Sequence, residues 1–120
     1  MISEEILEYH YGEIANKLDE MIPVEWKKIV MQAIDFGTSA TVYFYFYTKD
    51  DQAHNGSAIP NEYNVDQTIY NNFVSELIDI NSNFREEFVK ANIDPWESMT
   101  FILNEDWSCL LYTSDAADEL

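Results

Sequence analysis

The chain contains 120 residues and carries a formal net charge of −17, because 23 acidic side chains face only six basic ones. Nucleic-acid backbones and anionic lipid headgroups repel a chain with this much negative charge. We therefore expect the protein to bind neither of them directly. Aromatic residues make up 15% of the sequence, which argues against the aromatic-poor composition of disordered acidic chains. One folded domain is therefore predicted, since the length is too short for two well-cored domains.

The sequence also predicts a cytoplasmic protein. It contains no run of about 18 to 20 apolar residues, the length that crosses a bilayer. The residues that follow Met1 lack the basic and apolar regions of a signal peptide. The single cysteine, Cys109, cannot form an internal disulfide, which agrees with a reducing compartment.

Helical spacing of apolar residues predicts a first helix between Ser3 and Ile22. Ser3 is suited to cap its start, and Pro23 prevents its continuation. The apolar face consists of Leu7, Tyr11, Ile14, Leu18 and either Met21 or Ile22.

Two extended runs, 26–36 and 40–47, flank the turn formers of segment 37–39 and predict a β-hairpin. In the second run, alternation places one set of side chains on each face of the strand. One face carries Val42, Phe44 and Phe46, and the other carries Tyr43, Tyr45 and Tyr47. We expect a helix to cover the tyrosines, although an exposed stripe could instead stack a ligand.

The remaining elements complete the predicted fold. Segment 50–56 is rich in turn formers and predicts a solvated loop before a short extended piece at 57–59. A long helix should follow from a cap at Asp66 to Asn92, with apolar residues at Ile69, Phe73, Leu77, Ile80, Phe84 and Phe88. Segment 98–103 and a partner beginning at Trp107 read as a second hairpin. The predicted class is α+β: an antiparallel β-sheet with an N-terminal helix and a long central helix packed on it.

The end of the sequence looks foreign to the rest of the chain. Residues 109–119 resemble the translation of a transposase adapter used in short-read library preparation. We therefore predict a single domain over 1–108, incomplete at its C-terminus, and a non-native segment over 109–120. The alternative is a natural tail in which residues 110–113 form the last strand.

The sequence predicts no catalytic residue, no cofactor and no metal site, and therefore a protein that is not an enzyme. His10 and His54 lack a second histidine or a cysteine at metal-ligand spacing. They are expected on a helix surface and in a loop, respectively. The pair Asp50-Asp51 lacks the alternating oxygen ligands of an EF-hand. A Gly-x-Ser-x-Gly elbow and phosphate-binding glycine loops are also missing from the sequence.

Several short segments, in this order and spacing, carry a family resemblance: 19–26 (DEMIPVEW), 42–45 (VYFY), 59–65 (IPNEYNV), 84–88 (FREEF), 95–96 (PW) and 100–101 (TF). Together they resemble the YezG-like immunity proteins, which are small cytoplasmic antitoxins of bacterial polymorphic toxin systems. The resemblance implies an α+β domain that extends beyond the end of this chain. It also implies a partner, the C-terminal toxin domain, often a nuclease, of an LXG-type effector exported by a type VII secretion system.

The resulting hypothesis is an immunity protein that neutralises a basic nuclease toxin through charge-complementary contact, without touching nucleic acid or membrane. Candidate contact residues are acids of predicted loops or loop-proximal positions next to aromatic residues. They are Asp50, Asp51, Glu62, Glu97, Glu105 and Asp106. The alternative function is a small α+β ligand-binding module or an enzyme that uses the aromatic strand face.

Overall fold

The computed structural model of the protein describes residues 1–113, which form one antiparallel sheet and two long helices. The helices are α1 (Glu4–Met21), α2 (Ile59–Glu62) and α3 (Gln67–Lys90), and a 3₁₀ turn spans Gly56–Ala58. The strands are β1 (Trp26–Asp35), β2 (Ala40–Thr48), β3 (Ala53–Asn55), β4 (Ser98–Asn104) and β5 (Cys109–Thr113). The predicted α+β class is confirmed.

Strand β1 is the centre of the sheet, whose order is β3-β2-β1-β4-β5. Val30 in β1 lies opposite Tyr45 of β2 on one side and Ile102 of β4 on the other. The hairpin predicted between β1 and β2 is confirmed. Its turn needs a glycine, since Gly37 has a φ of +87°, a conformation that side chains with a Cβ rarely adopt.

Helix α1 begins and ends where the sequence predicts. The Ser3 hydroxyl oxygen accepts a hydrogen bond from the Ile6 amide at 3.2 Å, which satisfies a donor that the first turn leaves free. The helix ends at Met21, before Pro23. Ile14, Leu18 and Met21 are buried against the rest of the protein, as the helical spacing predicts.

Helix α3 is also confirmed, with Asp66 as its cap. The Asp66 carboxylate accepts hydrogen bonds from the amides of Thr68 and Ile69. Its buried face is turned slightly from the predicted one, because Tyr70 is buried and Ile69 is half exposed. Asn92 has a positive φ of 58° just after the helix, in the left-handed conformation that ends many helices.

The hydrophobic core lies between the sheet and the two long helices. Both helices cover the same face of the sheet, where the inward residues of the strands are Ile29, Met31, Ala33, Phe44, Phe46, Met99, Phe101 and Leu103. Removing a buried phenylalanine ring from such a core lowers the free energy of unfolding by about 3–5 kcal/mol. The burial of these residues therefore determines which sheet face the helices cover.

The prediction for segment 50–59 is wrong in its details. Residues 53–55 pair with Tyr45–Tyr47 as an edge strand, because the chain turns back onto β2 directly after Gln52. Residues 57–59 are helical, since the Asn55 side chain caps the 3₁₀ turn and Pro60 fits the first turn of α2.

The expectation that a helix covers the tyrosine stripe is also wrong. Tyr43 and Tyr45 are 60% and 41% exposed to solvent. The alternation itself is correct, but α1 and α3 pack on the side of Phe44 and Phe46. No helix among residues 1–113 lies on the other side of the sheet.

The segment predicted to be foreign contributes structure here. Residues 109–113 form β5, which pairs with β4 and places Leu111 opposite Phe101. Trp107, predicted to start that strand, lies in the preceding turn with a φ of 68°. Residues 114–120 lie outside the described part of the chain, and the origin of 109–120 stays a prediction.

Candidate functional site

The sheet brings two acidic loops together at one end. Because β1 is antiparallel to both β2 and β4, Lys28 near its start lies opposite Tyr47 on one side and Asn104 on the other. The loops that follow β2 and β4 therefore emerge side by side. We call their four carboxylate residues the acidic end: Asp50, Asp51, Glu105 and Asp106.

Two lysines partly neutralise the acidic end. Lys27 Nζ lies 2.5 Å from Asp51 Oδ1, and Lys49 Nζ lies 2.6 Å from Glu105 Oε2. The hydrogen bond to Asp51 raises the pKa of Lys27, so the lysine stays charged. Exposed ion pairs of this kind contribute little to stability, so a basic partner can displace these lysines at little cost.

The other two carboxylates of the acidic end are held ionised by hydrogen bonds. The Thr48 hydroxyl donates to Asp50 and lowers the pKa of that carboxyl. The Ser108 hydroxyl and amide donate to Asp106 Oδ1 at 2.6 and 3.0 Å and lower its pKa as well. Asp50 and Asp106 therefore keep their negative charge well below neutral pH.

Glu62 joins this region through His54. The Glu62 carboxylate lies 3.3 Å from His54 Nδ1, and His54 Nε2 lies 3.3 Å from the Thr48 hydroxyl. The His54 ring stacks on Phe46 with centroids 5.2 Å apart. The prediction that His54 lies in a loop is wrong, because it lies in β3 and its side chain packs over the core.

Glu97 is the predicted contact residue that the fold separates from the rest. It precedes β4 at the opposite end of the sheet, where its carbonyl accepts a hydrogen bond of 2.9 Å from the Asp35 amide. Five of the six predicted residues thus lie toward one end of the sheet.

Two tryptophans beside the acidic end were not among the predicted contact residues. The rings of Trp26 and Trp107 lie 5.9 Å apart, and Trp107 is 46% exposed. Trp26 Nε1 donates a hydrogen bond to Asp19 Oδ1 at 2.9 Å. Both tryptophans and Asp19 line a surface depression of 510 Å³, together with Glu25 and Glu105. Tryptophan is enriched among residues that dominate protein–protein binding, which is the signal that could have identified them.

A second surface is the sheet face opposite the helices. We call it the open sheet face and define it by the outward side chains Val30, Gln32, Tyr43, Tyr45, Thr100 and Ile102. Val30, Gln32, Tyr43, Tyr45 and Thr100 line a depression of 340 Å³. The tyrosines were identified from the sequence but expected under a helix, so their exposure was not predicted.

The prediction that His10 lies on the helix surface is wrong. His10 is buried where α3 covers α1. Its Nε2 atom lies 3.0 Å from Glu87 Oε2, and its ring centroid lies 5.5 Å from that of Phe84. This pair connects the two helices. Residues 1–113 contain no cluster of three or more His, Cys, Asp or Glu side chains arranged to hold a metal ion.

The acidic end and the open sheet face are surfaces rather than enclosed sites, as in a protein that binds another protein. A profile described as "Immunity protein YezG-like" matches residues 7–109. The chain belongs to the YezG-like immunity protein family. The resemblance stated from the sequence is thereby confirmed.

Curated relatives in the family come from two genera. The chain is 34% identical over 102 residues to "Type VII secretion system protein EsaG" of Staphylococcus aureus (strain NCTC 8325 / PS 47), covering 84% of this chain and 63% of the relative. It is 36% identical over 98 residues to "Immunity protein YezG" of Bacillus spizizenii (strain ATCC 23059 / NRRL B-14472 / W23), covering 78% and 59%. "Immunity protein YezG" of Bacillus subtilis (strain 168) is 34% identical over 95 residues, covering 78% and 63%.

The chain thus spans about three fifths of the length of these curated relatives. The part that the family profile matches, residues 7–109, includes α1 from Leu7 onward, the whole of α3 and strands β1 to β4. None of the helices in residues 1–113 combines the length and the apolar composition that a membrane span requires.

Proposed function

We propose that this protein is an immunity protein that binds and neutralises a toxin protein of a type VII secretion system in the cytoplasm of the producing cell. Membership of the YezG-like family carries the proposal. The names of the relatives support it, since one is a type VII secretion system protein and two are immunity proteins.

The finer proposal is that the toxin is the C-terminal nuclease domain of an LXG-type effector. A nuclease must present basic groups to bind phosphates, and an excess of carboxylates complements such a surface. The protein has 23 acidic residues against six basic ones, and four carboxylates gather at the acidic end. Complementary charge accelerates encounter and disfavours wrong partners.

Neutralisation by this route needs no catalytic group. A protein that covers the phosphate-binding surface of a nuclease blocks substrate access through contact alone. The carboxylates of the acidic end suit this role because their lysine partners are exposed and weakly held. We therefore propose a non-enzymatic inhibitor.

Exposure of Tyr43 and Tyr45 favours one alternative, a ligand-binding module or enzyme that uses the aromatic strand face. Small-molecule sites, however, are concave and bury about 70–90% of their ligand. A strand face open along one whole side buries a ligand from one direction only. Protein docking therefore fits this face better than small-molecule binding.

Co-expression tests the proposed function. The toxin encoded beside this gene is expressed in a bacterial host with or without the chain, and growth is followed. Restored growth, together with co-purification of the two proteins, is the expected result. If the folded protein, and equally a longer form with the full family length, neither restores growth nor binds the toxin, the proposal is wrong.

A further inference from the structure

The open sheet face is built from rows of outward side chains that cross the strands. One row runs Tyr45, Val30, Ile102 and Leu110, since each lies opposite the next in the strand pairing. The neighbouring row runs Tyr43, Gln32, Thr100 and Tyr112. Apolar, hydroxyl-bearing and amide side chains, all without formal charge, therefore cover the centre of this face.

This face lacks the carboxylates that dominate the rest of the protein. The five described strands contain one acidic residue, Asp35, and its side chain is buried on the helix side. Among the exposed strand residues that the structure describes, Lys27 and Lys28 carry the formal charges, and both lie at the start of β1. A sheet face with an uncharged centre on a chain of net charge −17 is suited to contact another protein surface.

The size of the face limits what can bind it. With strands about 4.8 Å apart and about 3.3 Å per residue, the part formed by β3, β2, β1 and β4 measures on the order of 300 Å². A stable interface buries about 800 Å² on each partner. A partner must therefore also contact the surface around this face.

The adjoining surface is the acidic end. Lys27, Lys28 and Asn104 of the sheet line one depression together with Glu105 and Asp106, and Lys27 is paired with Asp51. A second copy of this chain would bring its own excess of carboxylates to that border. A partner with an uncharged patch edged by basic side chains instead meets complementary charge there.

We propose that the open sheet face is the docking surface for the toxin, which covers Tyr43, Tyr45 and Val30 with an apolar patch and reaches the acidic end with basic side chains. This inference rests on the proposed function and adds the surface through which it acts. The residues that carry it all precede Cys109, so it holds whatever the origin of β5.

Matched tyrosine substitutions test the proposal. Tyr43 on the open sheet face and Tyr9 on α1 are 60% and 63% exposed, so Tyr43→Ala and Tyr9→Ala remove equally accessible rings. The probe is the purified toxin domain encoded beside this gene, and Kd is measured by calorimetry. We expect Tyr43→Ala and Tyr45→Ala each to weaken binding by at least about tenfold and Tyr9→Ala by less than about twofold.

Two further measurements keep the result interpretable. Circular dichroism melting checks that each variant folds like the unsubstituted chain. Hydroxyl-radical footprinting compares the oxidation of Tyr43 in the free chain and in the complex. We expect oxidation in the free chain and protection in the complex.

Each contrary outcome has its own meaning. Failure of the unsubstituted chain to bind the toxin, with no growth rescue, overturns the proposed function. Normal toxin binding that both folded tyrosine variants retain overturns the docking surface alone. A dimer in sedimentation that Tyr43→Ala dissociates, with toxin binding unchanged, assigns the face to a second copy and also overturns it. If Tyr43 is protected from oxidation in a free form with the full family length, further residues of the chain itself cover the face. That result also overturns the docking surface.

Discussion

The Oδ2 atom of Asp35 accepts a hydrogen bond of 2.7 Å from the Ser82 hydroxyl, which connects the end of β1 to the middle of α3. The other oxygen, Oδ1, accepts a hydrogen bond of 2.8 Å from the Gly37 amide in the hairpin turn. Asp35, the one acidic residue of the described strands, is thus buried where it connects the hairpin turn to α3.

Substitution of Asp35 should therefore destabilise the protein more than substitution of Ser82. Asp35→Ala leaves the Ser82 hydroxyl and the Gly37 amide without their acceptor and removes a buried side chain, and we expect the free energy of unfolding to fall by about 2–3 kcal/mol. Ser82→Ala removes one of the two bonds, with an expected loss of about 1–2 kcal/mol. Urea denaturation measures both.

Ser75→Ala is the control for this pair. Ser75 is an exposed residue of the same helix, so its removal should change the free energy of unfolding by less than about 0.5 kcal/mol. If Asp35→Ala were as stable as this control, the hydrogen bonds of the buried carboxylate would have no structural role.

A second prediction concerns the glycine against Phe44. A Cβ built on Gly56 would lie 2.6 Å from the ring of Phe44, closer than packed atoms approach. Gly56→Ala must shift either the buried Phe44 ring or the 3₁₀ turn, so we expect a loss of about 1–3 kcal/mol. Thermal and urea unfolding measure it.

Gly12→Ala provides the opposite case. A Cβ at Gly12 meets nothing within 4 Å, and the residue lies inside α1. Alanine at an unobstructed helix position is more stable than glycine by about 0.5–1 kcal/mol, so this variant should be stabilised. Equal effects of the two substitutions would contradict the close contact with Phe44.

A third prediction concerns the rate of toxin binding. The quadruple variant Asp50→Asn, Asp51→Asn, Glu105→Gln and Asp106→Asn removes the charge of the acidic end. Because complementary charge steers association, we expect the association rate at low salt to fall by about tenfold and its salt dependence to weaken. Stopped-flow mixing with the toxin domain measures the rate.

The matched control neutralises four exposed carboxylates elsewhere: Glu8, Glu13, Glu86 and Asp94. Both variants have the same net charge, so a difference between them reports position. Equal association rates would mean that only the total charge of the protein matters, and the acidic end would lose its special role.

A fourth prediction concerns pH and the turn before β5. The hydrogen bonds from Ser108 lower the pKa of Asp106 in the folded protein below its ordinary value of 3.8. The ionised form therefore stabilises the fold above that value, and the contribution is lost as pH falls through the lower, folded-state pKa. Asp106→Asn should lower the urea midpoint at about pH 7, and this effect should shrink as the pH falls through the folded-state pKa of Asp106.

The same substitution at Asp94 is the control for this pH series. Asp94 is exposed, and no hydrogen bond to its carboxylate is found in residues 1–113, so its midpoint change should be smaller. A loss for Asp106→Asn that persisted at about pH 2 would show that the amide, rather than the missing charge, disturbs the turn.

A fifth prediction concerns the origin of residues 109–120. Their resemblance to a transposase adapter predicts that the natural gene departs from this sequence after the Ser108 codon. Resequencing the source DNA across that codon should reveal a different continuation. Uninterrupted natural coding sequence with the present residues would contradict the prediction.

Much of the fold could be predicted because it depends on neighbouring residues. Helical spacing and the caps Ser3 and Asp66 determined α1 and α3, since capping and periodicity act within a few residues. Strand alternation likewise separated Phe44 from Tyr43. The short strand β3 was missed because its pairing with β2 depends on the edge of the sheet rather than on its own three residues.

The candidate site could be predicted only in part. The sequence identified the acidic loops, but the antiparallel order of β2, β1 and β4 decided that Asp51 and Glu105 meet while Glu97 lies at the other end. It identified His10 as a helix residue, but the packing of α3 over α1 decided that it is buried. Such outcomes depend on contacts between distant segments, which local patterns do not contain.

The sequence by itself determined the charge, the helices, the hairpin and the family resemblance, because composition and local periodicity carry them. Only the tertiary structure decided which face of the sheet the helices cover. The helices pack where Phe44 and Phe46 can bury the most apolar area, and this leaves the tyrosines of the opposite face exposed to a partner.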